Sequence, residues 1–228
     1  MFSGFDDGAY REMVTLARHT PWLNAAVNLW SDYGLVLFIV LAAAGLRRGG
    51  GVWRALWVPG AMAVAYLVSA VVKLGIGEQR PCRTLPAVGH IVSACPPLGD
   101  YSFPSNHAVL AAAAAVAVWR IDRRLGVVAA VNAVVIAASR VYIGVHYPHD
   151  VVAGLLLGAL VAWAGEQVGL PIVKRFAGPA RLRPRGSGTR DSASSCAGRD
   201  DDRIGEEPGY RVEEDASSRN RPTAESAP

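Results

Sequence analysis

Five long apolar stretches follow one another along this chain, separated by short polar segments. A helix needs roughly 20 mainly apolar residues to cross the hydrocarbon core of a bilayer. The Ala/Val/Leu run 108–118 presents no polar face to water. The pattern therefore predicts an all-α, polytopic membrane bundle of about five transmembrane helices, rather than a soluble helical core. The predicted spans are 24–46, 52–74, 104–119, 125–145 and 150–173.

Two of these spans are imperfect. Ser31-Asp32 interrupts the first span, and the third span is short. We expect such helices to be tilted or to begin at the membrane surface, since neither offers a full apolar length.

The N-terminal segment interleaves apolar and charged residues. Met13, Val14 and Leu16 alternate with charges such as Arg11 and Glu12. This pattern suits a helix that lies in the membrane interface, and a solvated helix ahead of the first span fits it equally well. The acidic and basic residues of this segment do not resemble a cleavable secretory signal, which has a basic start and a clean apolar core.

The two ends of the chain differ in composition, although 51% of all residues are apolar. Residues 178–228 contain nine basic and ten acidic residues among Pro, Gly and Ser. Such a segment cannot bury enough apolar surface to offset its ordering entropy. We therefore predict an integral-membrane domain at 1–177 and a disordered tail at 178–228.

The positions of the basic residues predict the orientation in the membrane, because cytoplasmic loops are enriched in Lys and Arg. They place the N-terminus outside and the tail in the cytoplasm. The other ends of the spans then lie on the extracytoplasmic face. The basic residues that set this orientation are Arg47, Arg48 and Arg54, then Arg120, Arg123 and Arg124, and finally Lys174, Arg175, Arg181, Arg183 and Arg185.

Ionisable side chains cluster at those extracytoplasmic ends. Such groups are costly in or beside a membrane, and so indicate a functional site. Guanidinium and ammonium groups match phosphate oxygens. A single one of these cations could equally extend to lipid headgroups, but three of them with two histidines favour a phosphate site. The clusters are Lys73 with Arg80-Pro81, Pro104-Ser105-Asn106-His107, and Ser139-Arg140 with His146 and Asp150.

Residues 104–107 precede an Ala-rich run and predict the start of a helix. Free N–H groups and the positive end of the helix dipole make such a start an anion site. The expected donors are the Ser105 hydroxyl and the amides of Asn106 and His107. Alternatively, Ser105 or Asn106 is simply the N-cap of the helix.

His146 and Asp150 are four residues apart, with Pro148 between them in the first turn of a predicted helix. Asp150 can accept a hydrogen bond from one ring nitrogen of His146, which leaves the other nitrogen as a nucleophile. His107, from another helix start, is suited to protonate the leaving oxygen and later to activate water. His149 and His90 have no spacing that demands a role and are interpreted as surface histidines.

These three motifs, in this order and with these spacings, resemble the signature that the type-2 phosphatidic acid phosphatase superfamily shares with vanadium haloperoxidases. The resemblance spans residues 73–150 and implies that no metal or other cofactor is needed. One departure is Asn106, where the superfamily mostly has Gly; Asn tolerates the left-handed conformation better than most residues. By resemblance, Lys73, Arg80, Ser105, the Asn106 amide and Arg140 bind phosphate, His107 protonates the leaving group, His146 is the nucleophile and Asp150 orients it.

Within the superfamily, the segments 102–105 and 144–148 look most like bacterial undecaprenyl-diphosphate phosphatases of the bacitracin-resistance type. That resemblance implies a lipid diphosphate substrate, a role in recycling the cell-wall lipid carrier, and a bacterial plasma membrane location with the site outside. Phosphatidylglycerophosphate, phosphatidic acid or a polyprenyl-phosphoryl sugar phosphate are alternative substrates. A nucleic acid partner is not expected, and nothing indicates an oligomeric state.

Two other classes of protein compete with a phosphatase. A zinc hydrolase could use His107, His146, His149 and Asp150 as ligands. A transporter or channel could also carry charges at helix ends.

The segment 81–103 is expected to form an outer loop over the site. It holds Cys82 and Cys95, which a disulfide could join in an oxidising compartment. Sequence leaves the bonded and free forms equally open. Arg83 and Asp100, in the same loop, are expected to be available to the diphosphate.

Overall fold

The computed structural model describes residues 3–85 and 92–176, and within them the chain is helical with no strand. The predicted tail, 178–228, lies outside the described residues. The helices are α1 (Ser3–His19), α2 (Pro21–Tyr33), α3 (Val36–Arg47), α4 (Val52–Ile76), α5 (Pro81–Thr84), α6 (Asn106–Trp119), α7 (Arg123–Tyr142) and α8 (Pro148–Phe176).

The predicted all-helical membrane bundle is confirmed, but among the described residues three helices, or four spans if α2 and α3 count as one, qualify to cross a membrane, against the five predicted. Helices α4, α7 and α8 are long and apolar enough to cross a membrane. The first predicted span is a pair of helices, α2 and α3, bent by 56°. The third predicted span, α6, has only 14 residues.

The break between α2 and α3 is stabilised by a polar side chain from the middle of α7. Asn132 donates a hydrogen bond to the Gly34 carbonyl at 3.0 Å. It also accepts one from the Trp30 indole at 3.1 Å. A broken helix is tolerated at membrane depth only where its freed backbone groups find partners within the protein. The break therefore depends on Asn132, far away along the chain.

Helix α6 is the centre of the bundle and packs against α4, α7 and α8. All of its alanines are buried, and α8 approaches its backbone closely. A Cβ on Gly154 would lie 2.8 Å from the Ser105 carbonyl oxygen, and one on Gly158 only 2.1 Å from that of Val109. Small residues allow this close approach, which holds the start of α6 against the start of α8.

Helix α1 is not a free solvated helix, because its apolar face covers the loop between α7 and α8. Tyr10 and Val14 pack against Tyr147, and Ala17 packs against residues 142–145. The Tyr10 hydroxyl donates a hydrogen bond to the Gly144 carbonyl at 3.0 Å. Gly144 has φ +86°, a conformation that L side chains rarely adopt. Helix α1 thus holds the turn that carries His146.

The contact between α6 and α8 predicts that Gly158→Ala destabilises the bundle. The new methyl group would meet the Val109 carbonyl oxygen, so the two helices must separate. We expect a loss of about 1–3 kcal/mol, the usual cost of overpacking, measured as a lower midpoint of thermal unfolding in detergent.

Gly60→Ala in α4 is the matched control. Its Cβ would lie 3.6 Å from the nearest heavy atom, in the Trp57 ring, an ordinary contact. We expect this variant to unfold at the wild-type temperature or slightly above it. Equal stability of the two variants would contradict the proposed role of the close approach.

Candidate active site

Residues from four helices and three connecting loops meet at one end of the bundle. Each predicted site residue stands at or near the end of a helix, where the chain leaves the apolar layer. Lys73 lies in the last turn of α4, Arg80 precedes α5, Ser105 precedes α6, Asn106 and His107 begin α6, Arg140 lies in the last turn of α7, His146 lies in the next loop, and Asp150 lies in the first turn of α8.

Asp150 is fully buried and faces His146. Its Oδ2 lies 3.3 Å from the His146 Nδ1. The same oxygen accepts hydrogen bonds from the Tyr147 amide at 2.8 Å and from the Ser102 hydroxyl. These bonds fix the carboxylate, which can in turn fix the orientation of the imidazole ring.

Arg80 approaches the opposite edge of the His146 ring. Its Nη1 lies 3.1 Å from the His146 Nε2 and donates to the Val145 carbonyl at 3.0 Å. Its Nε donates to the Asp100 carbonyl at 2.9 Å. A guanidinium can only donate, so Nε2 must be the acceptor. His146 is therefore protonated on Nδ1, toward Asp150, and its lone pair on Nε2 faces the cations.

The surroundings of His146 keep its ring neutral. Burial, followed by the charges of Arg80 and Arg140, lowers its pKa from 6.5 to about 4, although Asp150 opposes this shift. A neutral imidazole with a free lone pair is the form that can act as a nucleophile.

Asp100 bridges two of the cations. Its Oδ1 lies 3.1 Å from the Arg80 Nη2 and 3.5 Å from the Lys73 Nζ, which also donates to the Tyr101 carbonyl at 2.7 Å. Partial burial raises the pKa of Asp100, but Arg80 and Lys73 hold it below its ordinary value. Asp100 therefore binds the cations instead of standing free for the diphosphate, which corrects the expectation from the sequence.

Arg140 is held by the end of α2. Its Nη1 donates to the Ser31 hydroxyl at 2.9 Å and lies 3.4 Å from the Asp32 carboxylate. Its Nε is buried without a hydrogen-bond partner. The polar pair that interrupts the first apolar stretch thus neutralises a buried cation and leaves one of its donors free.

The start of α6 does not follow the simple capping alternative. Ser105 occupies the N-cap position, but its buried hydroxyl has no hydrogen-bond partner, and its amide donates to the Asp150 carbonyl at 3.1 Å. Asn106 accepts a hydrogen bond from the Ser69 hydroxyl at 2.9 Å. Asn106 is helical, so the left-handed conformation considered for it is not used. The Ser105 hydroxyl is a free buried donor.

His107 lies in the first turn of α6, close enough to Arg140, His146 and Arg80 to feel their charges. Lys73, Arg80 and Arg140 donate to oxygen atoms of the protein at the same end of the bundle. Three cations, a free hydroxyl and a neutral imidazole can together bind a tetrahedral oxyanion and attack its central atom.

His149 is not an isolated surface histidine. Its ring is half-buried between Glu78, Asp6 and Asp150. Among the described residues, the group with the spacing of a metal site is Glu78, His149 and Asp150. The zinc set considered from sequence is not assembled in this way, because His146 turns its Nε2 to Arg80 rather than to His149.

Cys82 and Cys95 are joined by a disulfide in the structure, with their Cα atoms 6.1 Å apart. Arg83, in the same loop, donates to the Pro96 carbonyl. The disulfide ties α5, which follows Arg80, to the segment that leads to Asp100.

Sequence reasoning did not place three side chains in the phosphate site: Asp32, Ser102 and His149. Ser31-Asp32 was visible as an interruption, and His149 adjoins Asp150. Their partners are far away in sequence, so only the fold reveals their contacts.

Comparison with known families gives one match that covers half of the chain: residues 54–169 match the family described as the PAP2 superfamily. Over 70 residues the chain is 39% identical to the undecaprenyl-diphosphatase of Sulfolobus acidocaldarius. That alignment covers 30% of this chain and 34% of the relative, so the chain matches only about a third of that protein's length.

Two further likenesses are broader. The chain is 36% identical over 137 residues to the decaprenylphosphoryl-5-phosphoribose phosphatase of Mycobacterium tuberculosis, which covers 60% of this chain and 72% of that protein. A crystal structure of a PAP2-type phosphatidylglycerolphosphate phosphatase from Bacillus subtilis superposes with a TM-score of 0.53 at 24% identity. That match covers 76% of this chain and 90% of the other, and shows a shared fold.

The position of Asp100 predicts that Asp100→Asn strengthens binding of inorganic phosphate. The carboxylate competes with an oxyanion for Lys73 and Arg80, while the backbone contacts of Arg80 keep the guanidinium in place without it. We expect a several-fold lower dissociation constant by calorimetry in detergent.

Asp122→Asn provides the control for this measurement. Asp122 pairs with Arg48, and Asn can still cap α7. Phosphate affinity should not change in this variant. Weaker binding in Asp100→Asn would show instead that the carboxylate organises the cations.

Proposed function

The chain belongs to the PAP2 superfamily, and from that premise we propose that it removes the terminal phosphate of a polyprenyl diphosphate through a phosphohistidine on His146. The observation that carries this proposal is the His146 ring itself. It is neutral, its Nδ1 faces Asp150, and its Nε2 lone pair faces the buried cations. The membrane bundle and the family support a lipid phosphatase, and the activity, the choice of lipid and the intermediate together form the proposal.

In the first step, Nε2 of His146 attacks phosphorus, and the bond from phosphorus to the bridging oxygen breaks. His107 donates a proton to that leaving oxygen, which departs as lipid monophosphate. Lys73, Arg80 and Arg140 neutralise the charge on the three equatorial oxygens, and the Ser105 hydroxyl donates to one of them. Asp150 stabilises the positive charge that the phosphorylated imidazole acquires.

In the second step, His107 takes a proton from water, which attacks the phosphohistidine. The bond between phosphorus and Nε2 breaks, inorganic phosphate is released, and His146 is again neutral. The same residue thus serves as acid and then as base, as the reversal of proton flow requires.

An apolar cleft beside the site suits a lipid substrate. It has a volume of about 600 Å³ and lies between the ends of α4 and α8. Ile76, Phe103, Val152 and Leu156 line it. The first units of a polyprenyl chain can lie there while the phosphates reach the cations.

We further propose that the site faces the extracytoplasmic side. The loops at the opposite end carry Arg48 and Arg120, which fits the enrichment of basic residues in cytoplasmic loops. The Cys82–Cys95 disulfide stands beside the site, and disulfides persist in oxidising compartments. This orientation supports recycling of a lipid carrier at the outer face of the cell membrane.

A second candidate substrate is a polyprenyl-phosphoryl pentose phosphate. The Mycobacterium tuberculosis relative named for such a substrate is 36% identical over most of its own length. Both substrates place a terminal phosphate on a polyprenyl lipid. Comparing kcat/KM for the two lipids, and for phosphatidylglycerophosphate, distinguishes the candidates.

His146→Ala should abolish phosphate release from undecaprenyl diphosphate by the purified protein in detergent. It should also abolish the acid-labile, alkali-stable phosphoprotein that radiolabelled substrate forms in the wild type. His107→Asn should slow turnover roughly 10²–10⁴-fold, the usual contribution of a general acid or base. The exposed His19→Asn variant is the control and should keep wild-type activity. Phosphate release by His146→Ala at the wild-type rate would refute the phosphohistidine.

The burial of His146 predicts the acid side of the pH profile. A group whose pKa is lowered in the fold keeps its neutral form until the pH falls through that lower value. We therefore expect the acid limb of kcat/KM near pH 4, below the 6.5 of a free imidazole. An acid limb at pH 6.5 would contradict a buried, neutral nucleophile.

A further inference from the structure

A second histidine, His149, touches the same carboxylate as His146. Its Nε2 lies 3.3 Å from the Asp150 Oδ1 and 3.1 Å from the Glu78 carboxylate. Its Nδ1 lies 3.2 Å from the Asp6 carboxylate, at an angle outside that of a hydrogen bond. The Asp6 carboxylate also accepts from the His149 amide at 3.3 Å. Carboxylates from α1, α8 and the loop after α4 thus surround one imidazole.

This environment favours the doubly protonated ring. Ionised carboxylates only accept hydrogen bonds, so the Nε2 that faces Glu78 carries a proton. The negative charge of Asp6 beside Nδ1 favours a second proton there. The ring also stacks with two aromatic side chains. The Phe103 centroid is 5.8 Å away at 26°, and the Tyr147 centroid is 5.5 Å away at 20°. Aromatic faces attract a cation, so these contacts add to the effect of the carboxylates.

The two oxygens of Asp150 have different partners. Oδ2 accepts from Ser102 and the Tyr147 amide and faces the His146 Nδ1. Oδ1 is fully buried and has no hydrogen bond. Its nearest charged neighbour is the His149 ring. The carboxylate that orients the nucleophile therefore stands between a neutral imidazole and an imidazolium.

We propose that His149 is a positioning residue that acts through Asp150, holding a positive charge against its Oδ1 and so limiting how strongly its Oδ2 attracts a proton to His146. This inference rests on the proposed role of His146 as the nucleophile. An imidazolium draws the carboxylate charge toward Oδ1. His146 then stays neutral even though it contacts a buried carboxylate.

Other charged groups also face the two rings. The effect of replacing His149 depends on which of these groups remain. His146 is faced by Asp150 from α8, by Arg80 at the start of α5, by Arg140 from α7 and by His107 from α6. His149 is faced by Asp6, Glu78 and Asp150. The direct neighbours of His146 all remain when His149 is replaced. A neutral residue at 149 leaves three carboxylates without their shared cation, and that change reaches His146 through Asp150.

The test is the titration of His146 by ¹⁵N-histidine NMR of the full chain in detergent, in wild type and in His149→Asn. Replacement removes the positive charge on the far side of Asp150, so the His146 midpoint should rise. We expect a shift of roughly half a pH unit to one unit, less than the 1–3 units of a directly facing charge. The acid limb of kcat/KM should rise by the same amount, with kcat on the plateau changed less than about threefold.

His149→Lys restores a cation and should return the midpoint toward the wild-type value. His19→Asn is the matched control and should leave both the titration and the activity unchanged. Thermal unfolding is measured for each variant. If His149→Asn does not fold, His149→Lys and His149→Gln provide the same comparison of a charged and a neutral residue.

An unchanged or lowered His146 midpoint in His149→Asn would overturn the inference. A loss of activity of equal size at every pH would also overturn it, because that is the effect expected of a residue that only supports the fold. The ligand atoms of Glu78, His149 and Asp150 lie within 4.8 Å of one another, so a wild-type titration that shifts with a chelator or added Zn²⁺ would assign the cluster to a metal instead. Failure of the phosphohistidine proposal would appear separately, as activity of His146→Ala with a normal NMR result.

Discussion

Burial of three cations at one end of an apolar bundle is the constraint that shapes this site. Lys73, Arg80 and Arg140 are each less than a tenth exposed. Removing a charge from water costs several kcal/mol unless oxygen atoms replace the lost hydration. The protein supplies those oxygens from separate parts of the chain, namely the Asp100 loop for Lys73 and Arg80 and the end of α2 for Arg140. The loops fold around the cations and supply these oxygen atoms. A bound phosphate would replace them as the partner of the cations.

The close approach of α6 and α8 determines where the side chains of the site lie. Glycines on α8 bring it against the backbone of α6, and the Ser105 amide donates to the Asp150 carbonyl at their common end. Ser105 and His107 therefore stand on a rigid support beside Asp150. Side chains built on packed helices hold a reacting group more closely than side chains on free loops. The disulfide near Arg80 and the contact of α1 with Gly144 extend this support to the two loops that complete the site.

Much of the fold could be predicted from the sequence, because the helices begin and end within a few residues of the limits predicted for each long apolar stretch. The motif residues could also be predicted to meet, because the alternating loops bring them to one end. The break at Gly34 could not, because it depends on Asn132 from α7. The roles of Asp32 and Asp100 could not be predicted either, because their charges pair with partners on other elements. His149 was misjudged because its spacing gave no reason to expect carboxylates from three elements around it.

The contact between Tyr10 and the Gly144 carbonyl has a practical consequence for making this protein. Residues of the first helix are part of the wall of the catalytic turn, and Asp6 already reaches His149. Removing the leading helix would leave the turn without its brace. Shortened versions made for expression should therefore keep α1.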